Sequence, residues 1–300
     1  MTPDRPLLGV MLMLGFCIVA PLGDAVAKIL SAALPLGVIL LTRFAAQAIL
    51  LVPITLVSGG RLWASRRLMW LIAARTVLHI MGIGAMFAAF RFLPLADAIA
   101  IAFVMPFIML FLGKYFLGEA VGRRRIWASL VGFIGTLMVV QPSFAAVGAP
   151  ALLPLFVAVN FAFFMLVTRA MAKDIDAVSM QAISGLMATP VLAIAILLFS
   201  SAWVEARLVW PTEDQWPLLI FIGVLGTLGH LLMTWSLRFA PAATLAPMQY
   251  LEIPFATLMG WLIFGDLPNG LAAVGIAVTI GAGLYIVWRE RLTEREAHGL

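Results

Sequence analysis

The sequence predicts an all-α integral membrane protein with ten transmembrane helices, arranged as two inverted repeats of five helices. Three observations support this prediction: the composition, the lengths of the apolar runs, and one stretch of sequence that occurs twice. Of the 300 residues, 64% are hydrophobic and only 11% are charged. Soluble domains carry about a quarter charged residues, so this composition excludes a water-soluble fold.

Ten apolar runs are long enough to cross a bilayer, which takes about 20 residues per helix. They lie at 7–23, 36–57, 70–90, 95–113, 125–141, 151–169, 178–199, 217–239, 243–264 and 271–288. The first run precedes Ala25-Val26-Ala27, which also fits a signal-peptide cleavage site. Cleavage there would remove one helix from a balanced set of five plus five, so we interpret this run as a retained helix.

Lysine and arginine residues near the ends of the runs indicate the orientation of the chain. If the N-terminus is cytoplasmic, only Lys28, Arg91 and Arg207 lie outside, and the other fourteen lie inside. This bias follows the positive-inside rule, so we expect both termini in the cytoplasm and the protein in the inner (plasma) membrane. The basic run at 122–125 is then an orientation signal in contact with the lipid bilayer, and its charge does not indicate a nucleic-acid partner.

One stretch of sequence occurs twice, at 90–119 and at 237–266. The identical pairs are Arg91/Arg238, Phe92/Phe239, Pro94/Pro241, Ala96/Ala243, Gly113/Gly260 and Gly118/Gly265. Shared alanine and glycine can arise by chance in membrane helices, but the repeated Arg-Phe-x-Pro favours a duplication. The copies lie five crossings apart, which reverses the chain direction. We therefore predict two inverted repeats, 1–145 and 146–300, within one membrane domain, as is typical of transporters.

These residues resemble the EamA-type branch of the drug/metabolite transporter superfamily. The matching pieces are "RFLPLADAIAIAFVMPFIMLFLGKYFLGE", "GFIGTLMVV" and "APMQYLEIPFATLMGWLIFGD". The resemblance covers essentially the whole chain and implies ten helices in two inverted repeats. It also implies transport of a small metabolite, for which bacterial amino-acid exporters are the nearest analogy. Met105, which is not aromatic, stands directly before Pro106, and this departure argues against an aromatic amino acid as the sole substrate.

Polar residues in the middle of apolar runs mark candidate sites, because a charge there costs roughly 2.5–3.5 kcal/mol. Glu252 stands just before Pro254, whose missing N–H loosens the helix. His79 and His230 occupy corresponding helices of the two halves, which should meet near the centre. We expect Glu252 to bind a substrate amine or a proton. A neutral, hydrogen-bonded carboxyl is the alternative, and both histidines can likewise be structural.

The candidate residues line a predicted midplane cavity between the third, fourth, eighth and ninth helices. The predicted substrate-binding residues are His79, Ile83, Phe87, Met105, Met109, Asn160, His230, Met248, Gln249 and Glu252. Helix breaks are predicted at Pro106 and Pro254, and Gln249 and Met248 should share a helix face with Glu252.

Two further arginines lie within the apolar runs. Arg75 is only a few residues into the third run, so we expect its side chain to extend back toward the cytoplasm. Arg43 lies deeper in the second run, where a charge needs a partner, and anion binding is its alternative role.

Signatures of enzymes are missing from the sequence: it contains no Gly-x-Ser-x-Gly, His-Glu-x-x-His or Cys-x-x-Cys motif. A metal site formed by His79, His230 and Glu252 is a weaker interpretation, and we expect no catalytic residue, metal or cofactor. The sequence therefore predicts a secondary-type transporter that exports neutral amino acids by alternating access. Transport of nucleotide-like metabolites or drugs, or a membrane-embedded lipid-handling enzyme, remains the alternative. The coupling ion, a proton or none, stays open.

Overall fold

The computed structural model describes residues 5–116, 118, 122–140, 148–265 and 270–297, and these residues contain helices but no β-strand. In the first half the helices are α1 (Pro6–Ser31), α2 (Leu36–Val57), α3 (Arg66–Ala89), α4 (Leu95–Ala102), α5 (Met105–Phe116) and α6 (Arg123–Val140). In the second half they are α7 (Leu152–Met171), α8 (Ala177–Phe199), α9 (Gln215–Phe239), α10 (Ala242–Leu245), α11 (Glu252–Phe264) and α12 (Gly270–Ala297).

Within the described residues, six helices are both long enough and apolar enough to cross a membrane: α1, α2, α3, α7, α8 and α9. The fourth segment is divided into α4 and α5, and the ninth into α10, a 3₁₀ turn at Ala246–Leu251, and α11. With α6 and α12, the described helices follow the predicted order of ten segments. The boundary that matters most for the site is the end of α1, which continues past residue 23 to Ser31, so Asp24 lies inside a helix.

Both divided segments contain the prolines that suggested helix breaks. Pro106 is the second residue of α5, and Pro254 is the third residue of α11. Proline is tolerated in the first turn of a helix, because its missing N–H would have no partner within the helix. The 3₁₀ turn before Glu252 is enclosed by protein, since Met248, Gln249 and Tyr250 are buried. Non-helical backbone at membrane depth is stable when it is shielded from lipid in this way.

The helices of the two halves pack against each other in a reciprocal order. The first helix of one half packs on the third of the other, in the pairs α1 with α9 and α3 with α7. The second helices, α2 and α8, pack together, and so do the fifth, α6 and α12. This exchange of partners is what a twofold relation between the halves requires.

The repeated arginine has the same task in each half. Arg91, after α3, donates through Nε to the carbonyl of Ser31 at 2.9 Å and through a terminal nitrogen to that of Leu34 at 3.0 Å. Arg238, at the end of α9, donates to the carbonyl of Ile175 at 3.4 Å. Each arginine therefore ties the third helix of its half to the loop between the first two.

Arg91 makes one contact that Arg238 does not share among the described residues: it forms an ion pair with Glu205, in the loop between α8 and α9. The second oxygen of Glu205 accepts a hydrogen bond from the backbone N–H of Leu36 at 3.1 Å, at the start of α2. This ion pair, the outer clasp, joins the two halves on the side predicted to face outward, and both of its side chains are partly exposed.

The orientation can be tested by labelling single cysteines in a Cys17→Ala background. Arg124, in the first turn of α6, and Ala149, just before α7, are both exposed. We expect a membrane-impermeant maleimide added to intact cells to label Ala149→Cys, and to label Arg124→Cys only after permeabilisation. Wild-type protein should stay unlabelled, because Cys17 is buried. The reverse pattern would invert the topology.

Candidate functional site

A central cavity lies between the two halves and has a volume of about 100 Å³. Most of its wall is apolar. The larger apolar side chains in the wall are Phe16, Val19, Ile83, Met86, Phe87, Ile99, Phe103, Met105, Val157, Phe161 and Leu225. Four titratable side chains interrupt this surface: Asp24, Arg43, His230 and Glu252. An apolar wall with a few polar groups is the usual form of a small-molecule site.

The two halves contribute equally to this titratable set. Asp24 on α1 and Arg43 on α2 come from the first half, and His230 on α9 and Glu252 at the start of α11 come from the second. Glu252 occupies the junction where the 3₁₀ turn becomes an α-helix. The helix break therefore places a carboxyl group at the wall of the cavity.

Three of these groups form no hydrogen bond within the part of the chain that the structure describes. Among the described residues, the side chains of Asp24, Arg43 and Glu252 make no hydrogen bond or close ion pair. Asp24 is close enough to interact electrostatically with both Arg43 and Glu252. An ionisable group inside a protein is costly unless something solvates or pairs it. The cavity is therefore suited to hold water or a ligand that carries charges of its own.

Arg43 depends on a glycine for its position. Its guanidinium lies against Gly226 of α9 so closely that a Cβ atom at 226 would be 2.6 Å from Cζ. On another side the guanidinium carbon lies 5.7 Å from the centre of the Phe87 ring, within the range of a cation–π contact. Gly226 thus provides the space that lets Arg43 reach the cavity wall.

His79 and His230 meet between α3 and α9, as their corresponding positions in the repeats suggested. Their Nε2 atoms lie 2.9 Å apart. His230 lines the cavity and His79 lies behind it, only 1% exposed. Phe44 and Phe164 each pack with a ring centre 4.9 Å from that of His79. Both Nδ1 atoms are buried, and neither has a hydrogen-bond partner among the described residues.

The expectation that Arg75 extends toward solvent is wrong, because its side chain is fully buried. Its Nε donates to the hydroxyl of Thr168 at 2.8 Å, and a terminal nitrogen donates to the hydroxyl of Ser184 at 3.1 Å. Longer hydrogen bonds of 3.5 Å reach Gln181 and Thr234. Acceptors from α7, α8 and α9 thus replace the water that we expected to solvate this charge.

We call this set of side chains the Arg75 network: Gln47, Arg75, Thr168, Gln181, Ser184 and Thr234. Gln47 extends it to α2 by donating to the backbone carbonyl of Gln181 at 2.7 Å. Arg75 precedes His79 on α3, whereas the cavity residues Ile83 and Phe87 follow it. The network therefore closes the bundle on one side of the histidine pair, and the cavity occupies the other side.

Of the predicted site residues, Ile83, Phe87, Met105, His230 and Glu252 line the cavity. The described side chains of the others lie outside the cavity wall, as His79 does behind His230. Asn160 donates to the carbonyl of Leu78 at 2.7 Å, which ties α7 to α3. The side chain of Pro106 lies outside the described residues.

Three other predicted residues, Met109, Met248 and Gln249, belong to a buried methionine-rich region. The Nε2 atom of Gln249 lies 3.1 Å from the sulfur of Met165 and 3.5 Å from that of Met109. Met248 is fully buried, and its carbonyl accepts a contact from the Cys17 thiol. The face shared with Glu252 was inferred for a continuous α-helix, whereas the backbone changes from 3₁₀ to α at this residue.

Asp24 is the titratable residue of the cavity wall that the sequence did not predict. The predicted first run ends at residue 23, which places Asp24 in a loop. The available signal was the continuation of apolar residues on both sides of the carboxylate, in "PLGDAVAKIL".

A family model described as the EamA-like transporter family matches residues 7–141 and again 149–289. The two matches, one per half, together with the helical fold, confirm the prediction of an all-α membrane protein built from two inverted repeats. A solved crystal structure has the same fold, with a TM-score of 0.72 at 17% identity over 96% of this chain and 98% of its own.

Curated relatives carry different substrates in their names. A riboflavin transporter of Rhizobium johnstonii is 30% identical over 76% of this chain and 73% of its own. A pseudopaline exporter of Pseudomonas aeruginosa is 29% identical over 88% of each chain. An S-adenosylmethionine uptake transporter of Rickettsia bellii is 24% identical over 89% of each.

The Arg75 network should contribute strongly to stability. We expect Arg75→Met to lower the free energy of unfolding by about 2 kcal/mol or more, because it removes hydrogen bonds from a charged donor and leaves their acceptors unpaired. Arg207→Met, at an exposed loop position, should change it by less than about 0.5 kcal/mol. Circular dichroism during unfolding in detergent micelles measures both. Equal stability of the two variants would contradict a structural role for the network.

Proposed function

The chain belongs to the EamA-like transporter family and is a multi-pass membrane transporter of small metabolites, and from this premise we propose its substrate. We propose that it exports small zwitterions with an apolar side chain, above all neutral amino acids, by alternating access. The observation that carries this proposal is the cavity wall, on which one guanidinium and two carboxyl groups face an otherwise apolar space.

A neutral amino acid complements this wall group by group. Its carboxylate can pair with Arg43, which offers charge-assisted hydrogen bonds in a planar, forked geometry. Its ammonium group can pair with Glu252 or Asp24. The side chain then meets the apolar wall, where Met86 and Met105 supply flexible thioethers that adapt to different shapes. We therefore expect broad selectivity among methionine, threonine and aromatic amino acids.

Polyanions fit the same wall poorly. Two carboxyl groups and one guanidinium line the cavity, so several phosphate groups would meet more repulsion than attraction. This supports discrimination against nucleotides.

A second candidate substrate class is a planar aromatic metabolite. Phe16, Phe87, Phe103 and Phe161 provide aromatic surfaces in the cavity wall, and aromatic rings stack favourably on such surfaces. The similarity to a riboflavin transporter points the same way. The cavity would have to widen for a fused three-ring compound, because its volume is about 100 Å³.

The two sides of the histidine pair support alternating access. The cavity lies on one side and the Arg75 network closes the other. We propose that the protein lies in the inner membrane with both termini in the cytoplasm. In this orientation α3 runs from the cytoplasmic side to the outer side. The network then faces the cytoplasm, so this conformation is closed inward. Export requires a second conformation in which the network separates.

Replacing Glu252 tests the assigned substrate class. In proteoliposomes, we expect wild-type protein to exchange radiolabelled methionine and to reject nucleotides. Glu252→Gln should reduce methionine exchange by about tenfold or more, because the amide keeps the shape but cannot balance an ammonium charge. The matched control is Glu213→Gln, at an exposed loop position, which should exchange methionine at the wild-type rate.

Three outcomes would contradict the assignment. Full exchange by Glu252→Gln would give Glu252 a structural role only. Exchange of riboflavin without methionine would favour the aromatic class. A chemically altered product would favour a membrane-embedded enzyme.

Two glycines of α9 test the position of Arg43. A Cβ atom at Gly226 would overlap the guanidinium, whereas one at Gly229 would meet its nearest neighbours, Phe16 and Val19, at an ordinary 3.7 Å. We expect Gly226→Ala to displace Arg43 and reduce methionine exchange by about tenfold or more, while Gly229→Ala stays close to wild type. Both variants should fold. At position 226 the displaced atoms end a flexible side chain, and at position 229 the new contacts are of ordinary length. Equal rates in the same liposomes would exclude Arg43 from substrate binding.

A further inference from the structure

The contact between His79 and His230 restricts where protons can lie. Two ring nitrogens at 2.9 Å form a hydrogen bond only if one carries a proton and the other offers a lone pair. In the neutral pair, one ring is therefore protonated on Nε2 and the other on Nδ1. One proton bridges the two halves, and each ring has a buried Nδ1 without a partner.

We propose that the His79–His230 pair is a proton-binding site: the neutral pair holds α3 and α9 together, and uptake of one further proton favours their separation. The proposal adds a proton-binding site to the transport function proposed above. Only the role of the helix separation in transport rests on that function. The proton comes from water in the cavity, which His230 lines, and binds a ring nitrogen to form one imidazolium.

A further proton is opposed while the rings stay in contact. If the bridging hydrogen bond persists, the proton must bind the one Nδ1 that still has a lone pair. That atom is buried and has no acceptor for the resulting N–H. The new positive charge would also lie among the rings of Phe44 and Phe164, where little water can solvate it.

The charged groups around the pair act in the same direction. Arg43 on α2 and Arg75 on α3 interact electrostatically with both histidines, and both guanidinium groups repel an imidazolium. The acids Asp24 on α1 and Glu252 on α11 line the same cavity as His230. From α7 the pair receives the phenylalanine rings of Phe161 and Phe164. A separated His230 that turns into the cavity gains water and these carboxyl groups as partners.

Separation of the rings would reach the Arg75 network through one residue. Thr234 donates to the backbone carbonyl of His230 at 2.7 Å and accepts from Arg75 at 3.5 Å. A shift of α9 at His230 therefore also shifts an acceptor of Arg75. Because the two conformations bind a proton with different affinity, the proton biases the equilibrium between them.

The pair can be observed directly, because the chain has three histidines and His298→Gln removes the third. In this background, ¹⁵N-histidine NMR of protein in nanodiscs should show, at about pH 8, a coupling between Nε2 atoms of two different rings across their hydrogen bond. At about pH 5 the coupling should disappear while an imidazolium signal appears. A coupling that persists at acid pH, or that is absent at both pH values, would overturn the proposal.

A distance measurement tests the separation of the halves. Spin labels are placed at Arg67→Cys and Asp174→Cys, exposed positions near the start of α3 and before α8, in a Cys17→Ala background. We expect the distance between the labels to increase on acidification while both histidines are present, and to be independent of pH when His79→Gln and His230→Gln are combined. Two glutamine amides can hydrogen-bond to each other but cannot take up a proton. An unchanged distance with both histidines present, or the same increase in the double variant, would contradict the proposal.

Neither measurement uses a substrate, so their outcome is separate from that of the substrate assignment. Protein that shows both pH effects but exchanges no amino acid would refute the proposed substrate and leave the proton site standing. Protein that exchanges methionine but shows neither effect would refute the proton site alone.

Discussion

The structure depends on one constraint: an ionisable side chain within a membrane bundle must be solvated by the protein or must face a cavity. Arg75 is solvated by the protein, through hydroxyl and amide acceptors of three helices. Arg43, Asp24 and Glu252 face the cavity. These two solutions divide the interior into a closed side and an open side, with the histidine pair between them. The candidate site and the proposed barrier thus have the same physical origin.

The sequence predicts the helices and the repeat well, because composition and spacing are local properties. It also places Glu252 beside a helix break, since proline marks the break directly. It does not predict the environment of Arg75, whose acceptor Thr168 is 93 residues away along the chain. The expected extension of Arg75 toward the cytoplasm applies to an isolated helix. In the packed bundle, acceptors from other helices hold the side chain inside. Likewise, the end of α1 was set at a charge that only the assembled bundle can accommodate.

The twofold relation between the halves is close at the level of helices and broken at the level of side chains. Arg91 and Arg238 each tie a loop of their own half, so the duplicated motif keeps one structural task. The Arg75 network and the cavity charges have no such duplication among the described residues: Arg75 lies on one side of the histidine pair, and Arg43 on the other. Under the proposed alternating access, this asymmetry would give two similar halves different roles in opening and closing.

The outer clasp has a consequence for the environment in which the protein works. Arg91 and Glu205 are 26% and 45% exposed, so their attraction is screened by dissolved ions and contributes at most about 1 kcal/mol. The Arg75 network is buried and is shielded from such screening. If this face points outward, as the charge distribution predicts, a more saline external medium weakens the outer clasp and leaves the Arg75 network unchanged.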